Sequence, residues 1–130
     1  MVLSLMGYGE ADFAVPILEA YEALGKTEPI YFFADAEHLV NYDSRLRTAM
    51  TARFLPDRKR FETLQVMLKS KIVAMGVSVA NLALGGIVEV TNDPEAFKAS
   101  LDACLYKNHV VGFSSNALQA PRFQSIAAQA

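Results

Sequence analysis

Short apolar segments alternate four times along this chain with longer segments in which apolar residues recur at helical spacing. The apolar segments have the length and composition of buried strands and lie at residues 2–6, 29–34, 61–68 and 87–90. A helical pattern follows each of them, over about residues 12–24, 44–55, 70–84 and 93–106. Strands that are joined by helices pair in parallel through right-handed crossovers. The sequence therefore predicts an α/β fold, a mainly parallel sheet of about four to five strands covered by about four helices.

Local signals mark the boundaries of the third and fourth helices. Ser70 can cap the third helix, and the pair Gly85-Gly86 can end it. Asp93 offers a capping carboxylate to the fourth helix, and Pro94 follows at the first helical position, where its missing N–H costs least. These signals predict where both helices begin without reference to any tertiary contact.

The alternating pattern fades after Lys107. We therefore expect one α/β domain over residues 1–107 and a C-terminal extension over residues 108–130. Residues 109–113 (HVVGF) are a candidate for an extra strand. From Pro121 onward the chain is rich in alanine and glutamine, and we expect a terminal helix or a loose tail there.

The charged residues are distributed unevenly, although the formal net charge is only −2. Residues 1–44 hold eight acidic residues and one basic residue, whereas residues 45–71 hold eight basic residues and two acidic residues. A solvated face explains such a basic cluster, and docking to an acidic partner or a phosphate group is the functional interpretation. Nucleic acid is not expected as a partner, because the chain is acidic overall and two of the three aromatic residues that flank the cluster are predicted to be buried.

No set of side chains in the sequence suggests catalysis, a metal site or a cofactor. Cys104 is the single cysteine, so it forms no disulfide within the chain, and it lies on the apolar face of its helix. His38 and His109 are far apart in the sequence and lack metal-ligand spacing. Gly7-Tyr8-Gly9 precedes a helix, but Asp12 replaces the third glycine of a dinucleotide-binding motif. We expect a protein without enzymatic activity, metal or cofactor.

The longest uncharged run covers 17 residues, from Ile72 to Val88. Polar residues and a glycine pair interrupt it, so we expect a buried helix, a stop and a strand instead of a membrane span. Without a signal peptide at the N-terminus, a cytoplasmic protein is expected. The helix is apolar nearly all round, apart from a narrow strip through Lys71, Ser78 and Asn81. Burial against the sheet accounts for this composition, and self-association into a homodimer is the alternative.

Several segments resemble a known family in the same order. The segment VLSLMGYGEAD is a strand that ends in glycine and is followed by acids, and an apolar strand then ends in Asp35. Residues 42–46 (Tyr-Asp-Ser-Arg-Leu) correspond to an Asp-Ser-Ser-Gly-Leu signature. Over about residues 2–106 the chain resembles a STAS domain, the module of anti-sigma-factor antagonists and sulfate-transporter tails, and the related SEC14-type single-domain bacterial proteins. Arg45 stands where the family usually has glycine, and Tyr42 stands where it has aspartate.

The resemblance leaves one edge of the sheet open to interpretation. Residues 2–6 match the second strand of the family's domain, and no segment matches the first. Either the N-terminus is truncated relative to the family, or residues 109–113 or another subunit cover that edge.

The resemblance to STAS domains implies a regulatory module that binds a protein partner. In family members that work by partner switching, an anti-sigma kinase phosphorylates a serine at this helix start, and the matching residue here is Ser44. A phosphate there gains from the free N–H groups and the dipole of the helix. Asp43 can cap the same helix, and Arg45 and Arg47 can pair with the phosphate or with an acidic partner. We therefore expect docking of an anti-sigma-type kinase or another signalling protein through these residues and Tyr42, switched by phosphorylation of Ser44.

The SEC14-type resemblance implies an alternative function, a binder or carrier of a small apolar or anionic ligand. Its pocket would lie between the sheet and the helix at residues 70–84, and a tightly packed core there would count against it. The side chains expected on this ligand or partner surface are Asp35, Ser70, Lys71, Ser78 and Asn81.

Overall fold

The computed structural model describes residues 1–107, 110–115 and 121–126. Four α-helices lie in this part of the chain: α1 (Ala14–Glu22), α2 (Ser44–Phe54), α3 (Lys71–Ala83) and α4 (Pro94–Lys107). One sheet contains the strands β1 (Val2–Gly9), β2 (Ile30–Tyr42), β3 (Phe61–Leu68), β4 (Glu89–Thr91), β5 (Val110–Ser115) and β6 (Pro121–Ile126). Short 3-10 helices precede α1 (Ala11–Phe13) and follow α2 (Leu55–Arg60).

The strands are arranged in the order β4-β3-β2-β1-β5-β6. Every neighbouring pair is parallel except β5 and β6, which are antiparallel. The predicted fold class, a mainly parallel sheet covered by helices, is therefore confirmed. β5 lies beside β1 and contains most of the segment HVVGF, so this segment covers the edge that the resemblance left open.

β6 differs from the expected helix or loose tail after Pro121. Pro121 pairs with Ser115 and Ile126 pairs with Val110 along an antiparallel hairpin. Without β6, the outer edge of β5 would carry a row of unpaired backbone N–H and C=O groups. β6 pairs with β5 along this edge. The segment is extended because it pairs with β5, and its alanine- and glutamine-rich composition gives no sign of that pairing, so the expected helix or loose tail was wrong. His109 lies outside the described residues.

β2 continues to Tyr42, well past the predicted end at residue 34. β1 provides the reason, because it pairs along β2 from Val2 opposite Phe33 to Gly9 opposite Tyr42. Asp35 was expected at the end of a strand, where ligand sites of α/β proteins gather, but it lies in the middle of β2. Because β2 extends this far, Tyr42 lies at its end, two residues before the start of α2.

Capping residues begin α2, α3 and α4 as the sequence predicted. The side chains of Asp43 and Asp93 each accept a hydrogen bond from the backbone N–H two residues ahead, at 2.9 Å and 3.0 Å. Ser70 Oγ lies 3.4 Å from the backbone nitrogen three residues ahead. Gly85 and Gly86 follow α3 with φ angles of 81° and 83°, which residues with a side chain rarely adopt. Local chemistry thus defines the ends of these helices.

Different helices cover the two faces of the sheet. On one face, α1, α2 and α3 contribute to a large buried cluster that includes Ile17 and Phe32. On the other face, Phe97 of α4 packs against Phe33 and Met67. No helix in the described ranges is both long enough and apolar enough to cross a membrane. The first face, which three helices share, contains the cavity described next.

Candidate functional site

An apolar cavity of about 140 Å³ lies between the sheet and helices α2 and α3. Side chains of β1, β2 and β3 form its floor, among them Leu3, Phe32 and Leu64. Met50 of α2 and Val77 of α3 stand on opposite walls. Almost all the surface that the cavity presents is apolar. The alternative function implied by the SEC14-type resemblance requires a pocket between the sheet and this third helix, and a cavity is present there.

Small residues create this space. Ala34 and Ala36 lie on the floor, and Gly76 and Ala80 lie on the wall that α3 forms. A larger side chain at any of these positions would project into the volume. Apolar cavities of about 150 Å³ remain dry and can hold benzene. The cavity is therefore large enough for an apolar group of about six carbon atoms.

Tyr42 and Arg47 form the polar rim of the cavity. Arg47 lines the cavity with its aliphatic stem, and its Nη1 donates a hydrogen bond to Tyr42 Oη at 2.9 Å. The guanidinium carbon lies 5.8 Å from the centroid of the Tyr42 ring, within the range of a cation–π contact. Both residues are half-buried, so the rim stands between the apolar interior and solvent.

Gly76 allows the Tyr42 ring to pack directly on α3. A Cβ atom at Gly76 would lie 1.6 Å from Tyr42 Oη and 2.6 Å from Cζ, so the ring occupies the space where a side chain would begin. The base of Tyr42 is equally confined, because a Cβ atom at Gly9 would lie 2.9 Å from Tyr42 Cβ. The two glycines therefore position the tyrosine, and the tyrosine positions Arg47.

The start of α2 lies beside this rim. The Arg45 side chain donates hydrogen bonds to the Asp43 carboxylate from Nε (3.1 Å) and from Nη2 (2.7 Å). These bonds add to the one that Asp43 accepts from the Arg45 backbone N–H. Hydrogen bonds from the Arg45 side chain and backbone hold the pKa of the Asp43 carboxyl below its usual range. Ser44, the first residue of α2, is exposed, and its carbonyl accepts the Thr48 hydroxyl at 3.0 Å. Arg45 was expected to pair with a phosphate or a partner, but in this structure its charge is matched by Asp43.

Of the five residues expected on the ligand or partner surface, Ser78 and Asn81 line a common pocket at the end of α3, and none of the five lines the cavity. Ser70 caps α3 and donates its hydroxyl to Val40 O at 3.1 Å, and Asn81 Oδ1 accepts the Val88 N–H at 2.9 Å. Both side chains therefore have structural roles. Asp35 lies on the opposite face of the sheet from the cavity, because side chains alternate along a strand and Ala34 and Ala36 line the cavity.

Two more of these residues lie on α3 away from the cavity. Lys71 is exposed in the first turn, and Ser78 donates its hydroxyl to Ala74 O at 3.0 Å. Of the ten residues predicted for a site, Tyr42 and Arg47 line the cavity.

Part of the basic cluster belongs to a structural ion network below the end of α2. Arg53 contacts Glu22 and lies 3.0 Å from Asp57, and Arg60 lies 3.4 Å from Asp57. The Tyr21 hydroxyl donates to Asp57 Oδ2 at 2.8 Å. Burial raises the pKa of Asp57, but the hydrogen bonds from Tyr21 and Arg53, together with the positive charges of Arg53 and Arg60, outweigh that effect and hold the pKa below its usual value. These arginines tie α1 to the chain after α2 and are not available as a docking patch.

The outer face of α3 carries an exposed apolar stripe. Its residues follow helical spacing and are Ile72, Met75, Val79 and Leu82. Met75 is 71% exposed and Leu82 is 84% exposed. The stripe corresponds to the surface that the sequence offered for self-association. Among the residues that the structure describes, no three His, Cys, Asp or Glu side chains form a group that could hold a metal ion.

The sheet order, the parallel strands and the placement of the helices define a SpoIIAA-like, that is STAS-like, α/β fold. A solved structure with this similarity is an uncharacterized protein of the DUF3478 family from Shewanella loihica PV-4, described as having a SpoIIAA-like fold. Its TM-score is 0.54 and its sequence identity is 19%, over 75% of this chain and 80% of that chain. No protein-family model matches this chain, and no curated protein matches it. The fold implied by the resemblance is thus confirmed.

Proposed function

We propose that this protein is a non-enzymatic binder or carrier of a small ligand, whose apolar part occupies the cavity between the sheet and helices α2 and α3. The observation that supports this proposal is the cavity itself, a space of about 140 Å³ in a chain whose core could have closed it with larger residues at Ala34 or Ala80. Protein interiors are otherwise packed as densely as organic crystals. An unfilled apolar space of this size lowers stability, and a ligand would restore the lost contacts.

The size of the cavity sets the affinity expected for a simple probe. Burial of about six methylene groups contributes about 5 kcal/mol at about 0.8 kcal/mol per group. Association costs part of this, so a six-carbon probe should bind with a dissociation constant of about 1 mM or somewhat higher. A natural ligand that makes further contacts at the rim would bind more tightly.

Filling the cavity tests the proposal. Ala80→Leu adds three carbon atoms to the cavity wall and should weaken binding of 1-hexanol at least tenfold, measured by amide chemical-shift titration. Ala52→Leu is the matched control, because Ala52 is exposed in the interior of α2 and should leave the affinity unchanged. Native mass spectrometry of the purified protein should also detect a bound small molecule in the wild type and not in Ala80→Leu. Equal affinity of Ala80→Leu and Ala52→Leu for 1-hexanol would contradict the proposal.

A second candidate function is docking of a protein partner at the start of α2, switched by phosphorylation of Ser44. The observation that favours it is the position of Ser44, exposed at the first residue of the helix that carries Arg47. A phosphate on Ser44 would gain from the free backbone N–H groups and the dipole of α2. It would also compete with Asp43 for Arg45. An anti-sigma-type kinase or another signalling protein is the partner that this function requires.

Mass spectrometry of the protein from its native cells tests this second function directly. A phosphate on Ser44 is expected in a fraction of the molecules, and Ser44→Asp should release a partner that the wild type retains. Ser100→Asp is the matched control, since Ser100 is exposed on α4. The circular dichroism spectrum of both variants should match that of the wild type. Absence of phosphate on Ser44 under all growth conditions would contradict this function.

A further inference from the structure

Arg47 has an unusual position among the arginines of this protein. It is the one charged side chain among the described residues that line the cavity. Arg45, Arg53 and Arg60 each have a carboxylate within ion-pair distance. Arg47 has none in the described part of the chain, and its guanidinium hydrogen-bonds to the neutral hydroxyl of Tyr42. A positive charge without a carboxylate partner therefore stands at the rim of an apolar space.

The rim has donors to spare. A guanidinium carries five N–H groups, and in the described structure one of them is used, by Tyr42 Oη. The Tyr42 hydroxyl accepts that bond, and the described residues offer no acceptor to its own O–H. The Thr51 hydroxyl, in contrast, is already donated to Arg47 O at 2.8 Å. The rim thus presents several donors and no acidic group, which is the arrangement that an anion requires.

The position of these donors is held by packing. The Tyr42 ring lies where a Gly76 side chain would begin, and its base packs beside Gly9. Tyr42 is therefore a positioning residue, which fixes the guanidinium above the opening before any ligand arrives. Preorganised donors bind more tightly because less side-chain entropy is lost on binding.

We infer that the ligand is an anionic amphiphile, with a carboxylate or phosphate head on Arg47 and an apolar chain of about six carbons in the cavity. This inference rests on the proposed function and adds the chemical class of the ligand. The cavity provides a site for the apolar carbon chain of the ligand, and the unmatched charge of Arg47 provides a site for its anionic head. A bidentate contact between the guanidinium and a carboxylate or phosphate supplies both affinity and orientation.

Three six-carbon probes distinguish binding of an apolar group in the cavity from a preference for an anionic head. Hexanoate and hexyl phosphate carry an anionic head, and 1-hexanol carries a neutral one. In the wild type, at least one anion should bind about ten- to a hundredfold more tightly than 1-hexanol, which is the range that hydrogen bonds to a charged group provide. Arg47→Met keeps an apolar stem at the wall but removes the charge, so it should abolish the difference in affinity between the anions and 1-hexanol.

Control variants make each outcome decisive. Arg58→Met removes a charge from an exposed position outside the cavity and should leave all three affinities unchanged. Arg47→Lys keeps the charge but loses the planar fork, so part of the preference for the anion should remain. Binding of 1-hexanol with no preference for either anion, or a preference that survives Arg47→Met, would overturn the inference and leave the proposed function intact. Failure of all three probes to bind the wild type would overturn both.

Discussion

Replacement of Gly76 by alanine should destabilise this protein, although the same change stabilises most helices. Gly76 lies in the interior of α3, where alanine is favoured over glycine by about 1 kcal/mol. Here, however, the new Cβ atom would lie 1.6 Å from Tyr42 Oη and 2.6 Å from Cζ. No rotation of the hydroxyl relieves a clash with the ring itself, so the ring must leave the surface of α3.

The cost follows from the contacts that the ring would lose. The hydrogen bond from Arg47 involves a charged donor, and at a half-buried site its loss costs about 1.5 kcal/mol. The cation–π contact adds about 0.5 to 1 kcal/mol. Because the helix preference returns about 1 kcal/mol, the free energy of unfolding should fall by about 1 to 1.5 kcal/mol.

Urea denaturation followed by far-ultraviolet circular dichroism measures this difference, since the chain contains no tryptophan. The same substitution in a Tyr42→Ala background is the control, because the obstacle is then gone. There, Gly76→Ala should raise the free energy of unfolding by about 1 kcal/mol. The two residues should thus show a coupling energy of about 2 to 2.5 kcal/mol in a double-mutant cycle. Equal stabilisation in both backgrounds would refute the proposed contact between Tyr42 and Gly76.

Two further predictions concern the ion network and the surface of α3. Asp57→Asn weakens the hydrogen bonds from Tyr21 and Arg53 and should lower the free energy of unfolding by about 1 to 2 kcal/mol at neutral pH. Because the folded pKa of Asp57 is depressed, its contribution is complete above the unfolded value near 4 and is lost as the pH falls through the folded value. On α3, Leu82→Gln should shift a concentration-dependent dimer toward monomer in sedimentation velocity, if the exposed stripe joins two copies.

Matched measurements define what would contradict these two predictions. For the network, the stability difference between wild type and Asp57→Asn should shrink between pH 5 and pH 2, and a difference that grows on acidification would contradict the sign derived from the pKa. For α3, Val15→Gln is the control, because Val15 is an exposed apolar residue of α1 at 63% exposure. A wild type that stays monomeric at all concentrations, or an equal effect of both variants, would remove α3 as a dimer surface.

The predictable part of this fold depends on residues that are close together in the sequence. The side chains of Asp43, Ser70 and Asp93 accept hydrogen bonds from backbone N–H groups that lie two or three residues ahead. The starts of α2, α3 and α4 could therefore be predicted. β3 was predicted with its observed limits because its length and apolar composition are those of a buried strand. The end of β2 could not be predicted, because the residues after Ala34 remain extended through pairing with β1.

The candidate site shows the same division. Tyr42 and Arg47 were singled out for their place at a helix start, and both line the cavity. Their interpretation as docking residues rested on neighbours in the sequence, whereas their position at a cavity rim depends on α3. Ala34 and Ala80 carried no recognisable signal, because a small residue in a strand or a helix is ordinary until the facing side chain is known.

Sequence alone determined the order of the first four strands and the four helices, the capped starts of three helices and the α/β class, because these depend on apolar periodicity and on hydrogen bonds between near neighbours. Tertiary structure decided which charges would be matched and where the core would leave space. Arg45 is matched by Asp43 two residues away, whereas Arg47 donates to the hydroxyl of Tyr42 and has no carboxylate partner within the described residues. Tyr42 in turn packs on Gly76, thirty-four residues further along the chain. Contacts of that kind arise when distant segments pack together, and so the cavity and its charged rim appear only in the folded chain.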